Sequence, residues 1–302
     1  MNRQRPHGMA RCGSDLPIAK AATIFLLLAI TSLSHAHLTF HWQDRFSEAE
    51  QARLTAWIAE TQAGVERLVG PFPFEVHVYF HRRDGAREPV PWAHTQRHRT
   101  QGVHFHVDPA YPPEAFRNDW TAPHELSHLI LPYLGSRHAW FAEGFASFMQ
   151  YQVMHAMGVL SAEQTAQQYR RNLERAERGY QHGQRPFVAA APRLRAEGKY
   201  PTLYWGGAAF FLQLDAKLRA SAVRGRSADR GRSADPEGSA EAGLTDVLRT
   251  YLACCRQDRA ALPALIEALD RAARSPAFSE QLAQFQAQRG FPRYRQLELA
   301  PE

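Results

Sequence analysis

Hydrophobic and polar positions divide the chain into an alternating early part and a long later part with helical spacing. From Ser47 to Leu68, the residues Leu54, Trp57, Ile58, Val65 and Leu68 fall near one face of a helix. Ser47 and Glu50 have the spacing of a capping box at its start, and Gly70-Pro71-Phe72-Pro73 ends it. Phe74 to Phe80 and Val103 to Val107 alternate like half-buried strands, and the 80s and 90s between them are polar and loop-like. His77, His104 and His106 lie on these strands, where alternation explains them without a metal. After Trp140 the pattern is helical. The expected helices run from about Trp140 to Met157, Ser161 to Gly179, Trp205 to Ser221, Leu244 to Cys255, Leu262 to Arg274 and Phe278 to Gln288. Strands first and helices later predict an α+β fold, a small β part followed by a helical part.

The first 36 residues stand outside this pattern. Arg3, Arg5, Arg11 and Lys20 make a basic lead, Ala21 to Leu33 an apolar stretch, and Ser34-His35-Ala36 a small-x-small cleavage site. They read as a signal peptide, with residues 37–302 as one exported domain, periplasmic or secreted. The apolar run is short for a spanning helix, so no stable membrane span is expected after cleavage; an uncleaved anchor is the alternative. Four of the 36 Lys and Arg and one of the 30 Asp and Glu lie in this segment, so the net charge of +6 falls to +3 without it. So mild a surplus, with no accompanying motif, gives no case for nucleic acid as a partner. Part of it belongs to a tandem repeat, Arg224 to Asp229 and Arg230 to Asp235, within residues 222–242, whose Gly, Ser and charge predict a disordered loop. Beyond the signal only Cys254 and Cys255 remain. Adjacent cysteines do not readily pair, and these read as small core residues on an apolar helical stretch.

The chemistry concentrates in His124-Glu125-Leu126-Ser127-His128, followed by Glu143 in Trp140-Phe141-Ala142-Glu143-Gly144-Phe145-Ala146-Ser147. Residues four apart on a helix share a face, so His124 and His128 can bind one ion. Glu125 lies about 100° around the helix, within reach of a bound water without ligating the metal. Thr121 is placed to cap this helix and Pro123 to sit in its first turn; Leu126, Leu129, Ile130 and Leu131 give it an apolar face up to Pro132. Pro132, Gly135 and Ser136 turn the chain back, so that a second helix returns Glu143 toward the histidines. Two imidazoles and a carboxylate around one tetrahedral Zn2+ leave a fourth position for water, the open arrangement of a hydrolytic site. The plain alternative is a buried helix whose histidines are satisfied by hydrogen bonds. His138 is the rival third ligand. A metzincin-type pattern wants glycine three and a ligand six positions past the second histidine, where this chain has Leu131 and Leu134, which favours Glu143.

These motifs resemble the gluzincin metallopeptidases, in particular the aminopeptidase N-like and glycyl aminopeptidase families of the peptidase MA-like group. Tyr204-Trp205-Gly206-Gly207 resembles the tyrosine-x-x-glycine helix that follows their zinc glutamate, and the likeness covers roughly Trp120 to Tyr251. The resemblance implies a zincin-like (thermolysin-like) catalytic domain, with His124, His128 and Glu143 as metal ligands and Glu125 as general base. Tyr204 would stabilise the oxyanion, with Tyr200 as the weaker candidate. Ser147, one turn past Glu143, would be either its hydrogen-bond partner or an exposed helix serine. By the same resemblance, Gly102 to Asp108 would be an edge strand that pairs with substrate backbone. No G-x-M-E-N segment, which recognises a free amino end in those families, occurs upstream. The implied activity is hydrolysis of peptide bonds in a peptide or protein substrate. A zinc hydrolase of another substrate and a non-catalytic zinc-binding protein are the alternatives, and the uncoordinated Glu125 speaks against the second.

Overall fold

A computed structural model describes residues 37–97, 99–229 and 243–301. The expected signal peptide lies outside the described residues. Strands β1 (Leu38–Trp42), β2 (Val76–Arg82), β3 (Trp92–Arg97) and β4 (Gln101–Val107) form one sheet in the order β1-β2-β4-β3. The first three neighbours run parallel and β3 runs antiparallel to β4. Helix α1 (Glu48–Val69) joins β1 to β2, and its Ser47–Glu50 capping box is formed as the spacing predicted. The sheet turns Val76, Val78, Phe80, Val103, Phe105 and Val107 into the core, where Trp57 of α1 meets Phe105 with ring centroids 5.3 Å apart. The remainder is helical: α2 (Pro113–Arg117), α3 (Thr121–His128), α4 (Ala139–Ala156), α5 (Ala162–Gly179), α6 (Phe187–Ala196), α7 (Tyr200–Asp229), α8 (Leu244–Cys254), α9 (Leu262–Ala272) and α10 (Ala277–Ala287). This is the expected α+β arrangement, a small sheet followed by a mostly helical remainder. Among the described residues no helix is long and apolar enough to cross a membrane.

Several local expectations are corrected. Gly102 to Asp108 is not an edge strand: its core, β4, lies between β2 and β3. The edges are β1 and β3, and β3 lies in a stretch whose polar residues read as loop. An edge strand with only Ala93 buried needs no apolar alternation, so its sequence carries no strand signature. The loop expected over residues 222–242 starts later, because α7 continues through Asp229. Extending a formed helix costs less than starting one, so the first copy of the repeat follows the preceding turns. The second copy and residues up to 242 lie outside the described residues. Helix α3 stops at His128, with Leu129 to Leu131 buried beyond its end, and Thr121 is its first residue rather than its cap. The side chain that serves its start is Asp119, which accepts from the Thr121 N–H at 2.7 Å.

Cys254 and Cys255 are not core residues. They are joined by a disulfide, with Cys254 exposed and Cys255 half-buried. Their pairing is compatible with the end of α8, where Cys255 leaves helical geometry at φ −138°.

Helices α4 and α7 pack most closely of all, backbone to backbone. A Cβ on Gly144 would lie 2.3 Å from the Gly207 carbonyl carbon, and one on Gly207 would lie 1.9 Å from the Trp140 oxygen. Neither helix can take a methyl group there without moving apart. Gly144→Ala and Gly207→Ala are each expected to cost about 1–3 kcal/mol or more. Urea unfolding followed by circular dichroism checks this, and unchanged midpoints in both variants would refute the contact.

Candidate metal centre

The site is built from two helices and the turn between them. Leu126 and Ala122 of α3 are buried in the core, which leaves His124 and His128, one turn apart, on another face. The chain then turns through Gly135, at φ 75°, and a 3-10 turn over Ser136–His138, and α4 begins at Ala139. Glu143 therefore sits in the second turn of α4. Its Oε2 lies 3.4 Å from the Nε2 atoms of both His124 and His128. The two imidazole planes stand 85° apart with centroids 4.9 Å apart.

The ligand set fits zinc. One ligating atom from each of His124, His128 and Glu143 lies within 4.8 Å of the others. A tetrahedral ion with bonds of about 2.0–2.1 Å has ligand–ligand edges of roughly 3.3–3.4 Å, close to the two separations seen. The Nδ1 of His124 is 2.9 Å from Oε1 of the buried Gln150. An amide oxygen only accepts, so Nδ1 carries the proton and Nε2 is left with its lone pair toward the cluster. Burial works against charge on His124, but the Glu143 carboxylate, aided by Glu125, outweighs it and raises the imidazole pKa. Burial likewise opposes the Glu143 carboxylate, yet His128 and His124 lower its pKa.

Around the trio, Glu125 makes no ligand contact and borders a cavity of about 410 Å³ together with Trp120 and Tyr204. The Tyr204 ring stacks at 24° to His124, with centroids 6.0 Å apart. Burial first, then the charges of Glu143 and Glu125, push its phenol well above the ordinary tyrosine range, so it stays a hydrogen-bond donor at neutral pH. Tyr200 neighbours Tyr204 at 6.2 Å but is half exposed. His138 sits at the start of α4, outside the metal-binding group. Ser147 is buried rather than exposed, and among the described residues it makes no hydrogen bond to Glu143.

Two side chains placed at the site were not read from the sequence. Gln150 is two turns beyond Glu143 on the same helix, and a buried glutamine in that apolar run was the available signal. Arg97, on β3, was hidden because the strand itself was not recognised. Its Nη1 donates to the Leu131 carbonyl at 3.3 Å, and burial brings its guanidinium down to about 10 against the pull of Glu125.

No family model matches this chain, and no curated protein sequence does. Solved structures match in fold. Leukotriene A4 hydrolase from Saccharomyces cerevisiae superposes with a TM-score of 0.51 at 11% identity, over 86% of this chain and 39% of that one. An M1 zinc metallopeptidase from Deinococcus radiodurans gives a TM-score of 0.45 at 17% identity, over 86% and 50%. The chain thus spans half or less of the length of these structures. The match to the yeast hydrolase shows a common fold, and the His124-x3-His128 pair with Glu143 fits the gluzincin metal motif.

Removing one of three ligands leaves an incomplete site. Glu143→Ala is expected to lose bound zinc on dialysis while the wild type keeps about one ion per chain. Equal metal content by atomic absorption would exclude Glu143 as the third ligand.

Proposed function

We propose that the chain is an exported zinc-dependent peptidase that cleaves peptide bonds with Glu125 as the general base. One observation carries this reading. His124 and His128 converge with Glu143 on one metal position, while the intervening Glu125 stays uncoordinated and faces the adjoining cavity. A purely structural metal position would have no use for that free carboxylate. Zinc held there would supply Lewis acidity, which makes water nucleophilic near neutral pH and polarises a carbonyl.

The protein's own groups carry the remaining steps. Glu125 takes the proton from the attacking water and hands it to the leaving amine. Tyr204 donates a hydrogen bond to the carbonyl oxygen as that atom gains negative charge. Gln150 fixes the tautomer and plane of His124. The unpaired side of β3 runs beside α3 and offers main-chain groups to an extended substrate. Export rests on the basic and apolar lead of residues 1–36. The substrate is a peptide or protein, not a nucleic acid.

Digestion of a mixed peptide library by the zinc-loaded chain, read by mass spectrometry, is expected to give metal-dependent cleavage. Glu125→Gln should retain zinc and lose about 10²–10⁴-fold in turnover; near-normal rates in that variant would falsify the base assignment. Tyr204→Phe should lower kcat by about 10²–10³-fold with little change in KM. A change confined to KM would make Tyr204 a wall of the cavity instead.

A further inference from the structure

Two cavities meet at the metal position, and their walls differ in charge. His128, Glu143 and Thr95 border both. The one of about 410 Å³ holds Glu125 and Tyr204 and is walled by the exposed rings of Trp92 and Trp120. The other, about 470 Å³, is lined by Arg97, Arg195 and Arg259, and its only acidic side chain is Glu143, already placed as a metal ligand. Three guanidinium groups thus line a cavity whose one acidic wall is committed elsewhere, although Glu125 next door also attracts Arg97.

What sets those three arginines apart is that they share one cavity without a carboxylate to pair with. Arg82, Arg117, Arg256 and Arg295 each form an ion pair with a carboxylate. Among the described residues, Arg97, Arg195 and Arg259 form none. Arg195 donates only a long bond, 3.4 Å, to the Ser136 carbonyl. Arg259 lies 5.3 Å over the Tyr133 ring. Arg97 is anchored by one bond to Leu131, and its Nε is buried without a partner. A buried donor left unmade is costly, and a cluster of unpaired guanidinium groups repels itself. An anion seated between them relieves both costs, because guanidinium forks match carboxylate oxygens in geometry and charge.

We propose that the arginine-lined cavity receives a substrate carboxylate, so that the preferred substrate is an extended peptide with an acidic side chain on the acyl side of the cleaved bond. This rests on the hydrolytic reading given above, in which Glu125 must reach the leaving amine. Glu125 borders the aromatic cavity and not the arginine cavity, so the leaving amine departs through the former and the acyl portion occupies the latter. A free carboxyl terminus would lie on the other side. A free ammonium terminus would meet three like charges.

The test uses the zinc-loaded full chain and peptides acetylated and amidated at their ends, with Glu, Gln or Lys on either side of the cleaved bond. Glu on the acyl side should exceed Gln in kcat/KM by about 10–100-fold, the span of one charge-assisted contact, and Lys should fall below Gln. Arg195 and Arg259 are exposed enough to replace without disturbing the fold. The double variant Arg195→Gln, Arg259→Gln should bring the Glu-to-Gln ratio close to one, and Arg195→Glu, Arg259→Glu should favour Lys. Calorimetric binding to zinc-loaded Glu125→Gln gives a second readout, with the Glu peptide bound more tightly and that advantage lost in the arginine variants. Equal turnover of Glu and Gln peptides overturns the proposal. So does a Glu preference that survives the double variant, or one confined to the amine side. If no peptide is cleaved but Glu125→Gln still binds Glu peptides through Arg195 and Arg259, the hydrolytic reading fails and the carboxylate seat stands. Cleavage indifferent to charge has the reverse meaning.

Discussion

The contact on which the site depends is the approach of two glycines, Gly144 on α4 and Gly207 on α7. With no side chain on either, the helices meet at a distance that places a hypothetical Cβ of one inside the backbone of the other. Glu143 immediately precedes the first glycine, and Tyr204 stands one turn before the second. The separation of the two backbones therefore sets how far the carboxylate and the phenol can lie from the histidines of α3. Aromatic pairs lock the crossing on either side, with Phe141 4.9 Å and Phe145 5.3 Å from Phe211. These rings fill the volume around the crossing, which keeps the glycines from sliding past each other.

The far end of α3 is held by chain that comes much later. A short helix leaves its last carbonyls without intrahelical partners. Arg256 supplies a donor to the Leu129 carbonyl at 3.0 Å while its guanidinium rests 4.2 Å over the Phe74 ring. Two main-chain bonds then join Tyr133 to Asp258 and Ala260. Arg97 serves the next exposed carbonyl, at Leu131. The segment after α8 and the edge strand β3 thus fix the exit of the helix that carries the histidine pair, and each delivers an arginine to the cavity beside it. Positioning of α3 and the charge of that cavity are two consequences of one set of contacts.

How much of this was legible in the sequence follows from the range of each interaction. The His124–His128 pair and the capping box at Ser47 are local, so spacing alone fixes them. Glu143 was legible because a short turn leaves the returning helix little freedom. Gln150 was not, since a glutamine on a helix gains meaning only from the imidazole it meets across the packing. Strand β3 escaped because an edge strand partly open to solvent needs no apolar alternation, and with it went Arg97 and the true position of the sheet edge. The repeat after Ala222 misled because composition speaks for the isolated segment and not for the helix already running into it. The disulfide was missed because adjacent cysteines were read on a continuing helix, whereas α8 ends there.

Histidine content alone would have pointed to the wrong place. The outer face of the sheet carries His41, His77, His81, His94, His104 and His106 in neighbouring positions, stacked with Tyr79 and Trp92. Yet among the described residues only the α3–α4 group brings three ligating atoms into metal range. On the sheet two pairs of imidazoles bond to each other, His41 to His77 at 2.9 Å and His81 to His104 at 3.0 Å, while both ring nitrogens of His106 are buried without a partner. Burial, followed by the charge of neighbouring groups, brings His104 and His106 down to about 4, so these two stay neutral at pH 7 and pack as aromatic surface. At His124 the balance is reversed by Glu143, which favours the charged imidazole despite deeper burial. A carboxylate that can stand between two imidazoles, rather than the number of imidazoles, is what makes a cation position in this fold. Strand pleating spreads the sheet histidines over a plane, whereas two helices meeting at glycine bring three ligands around a point.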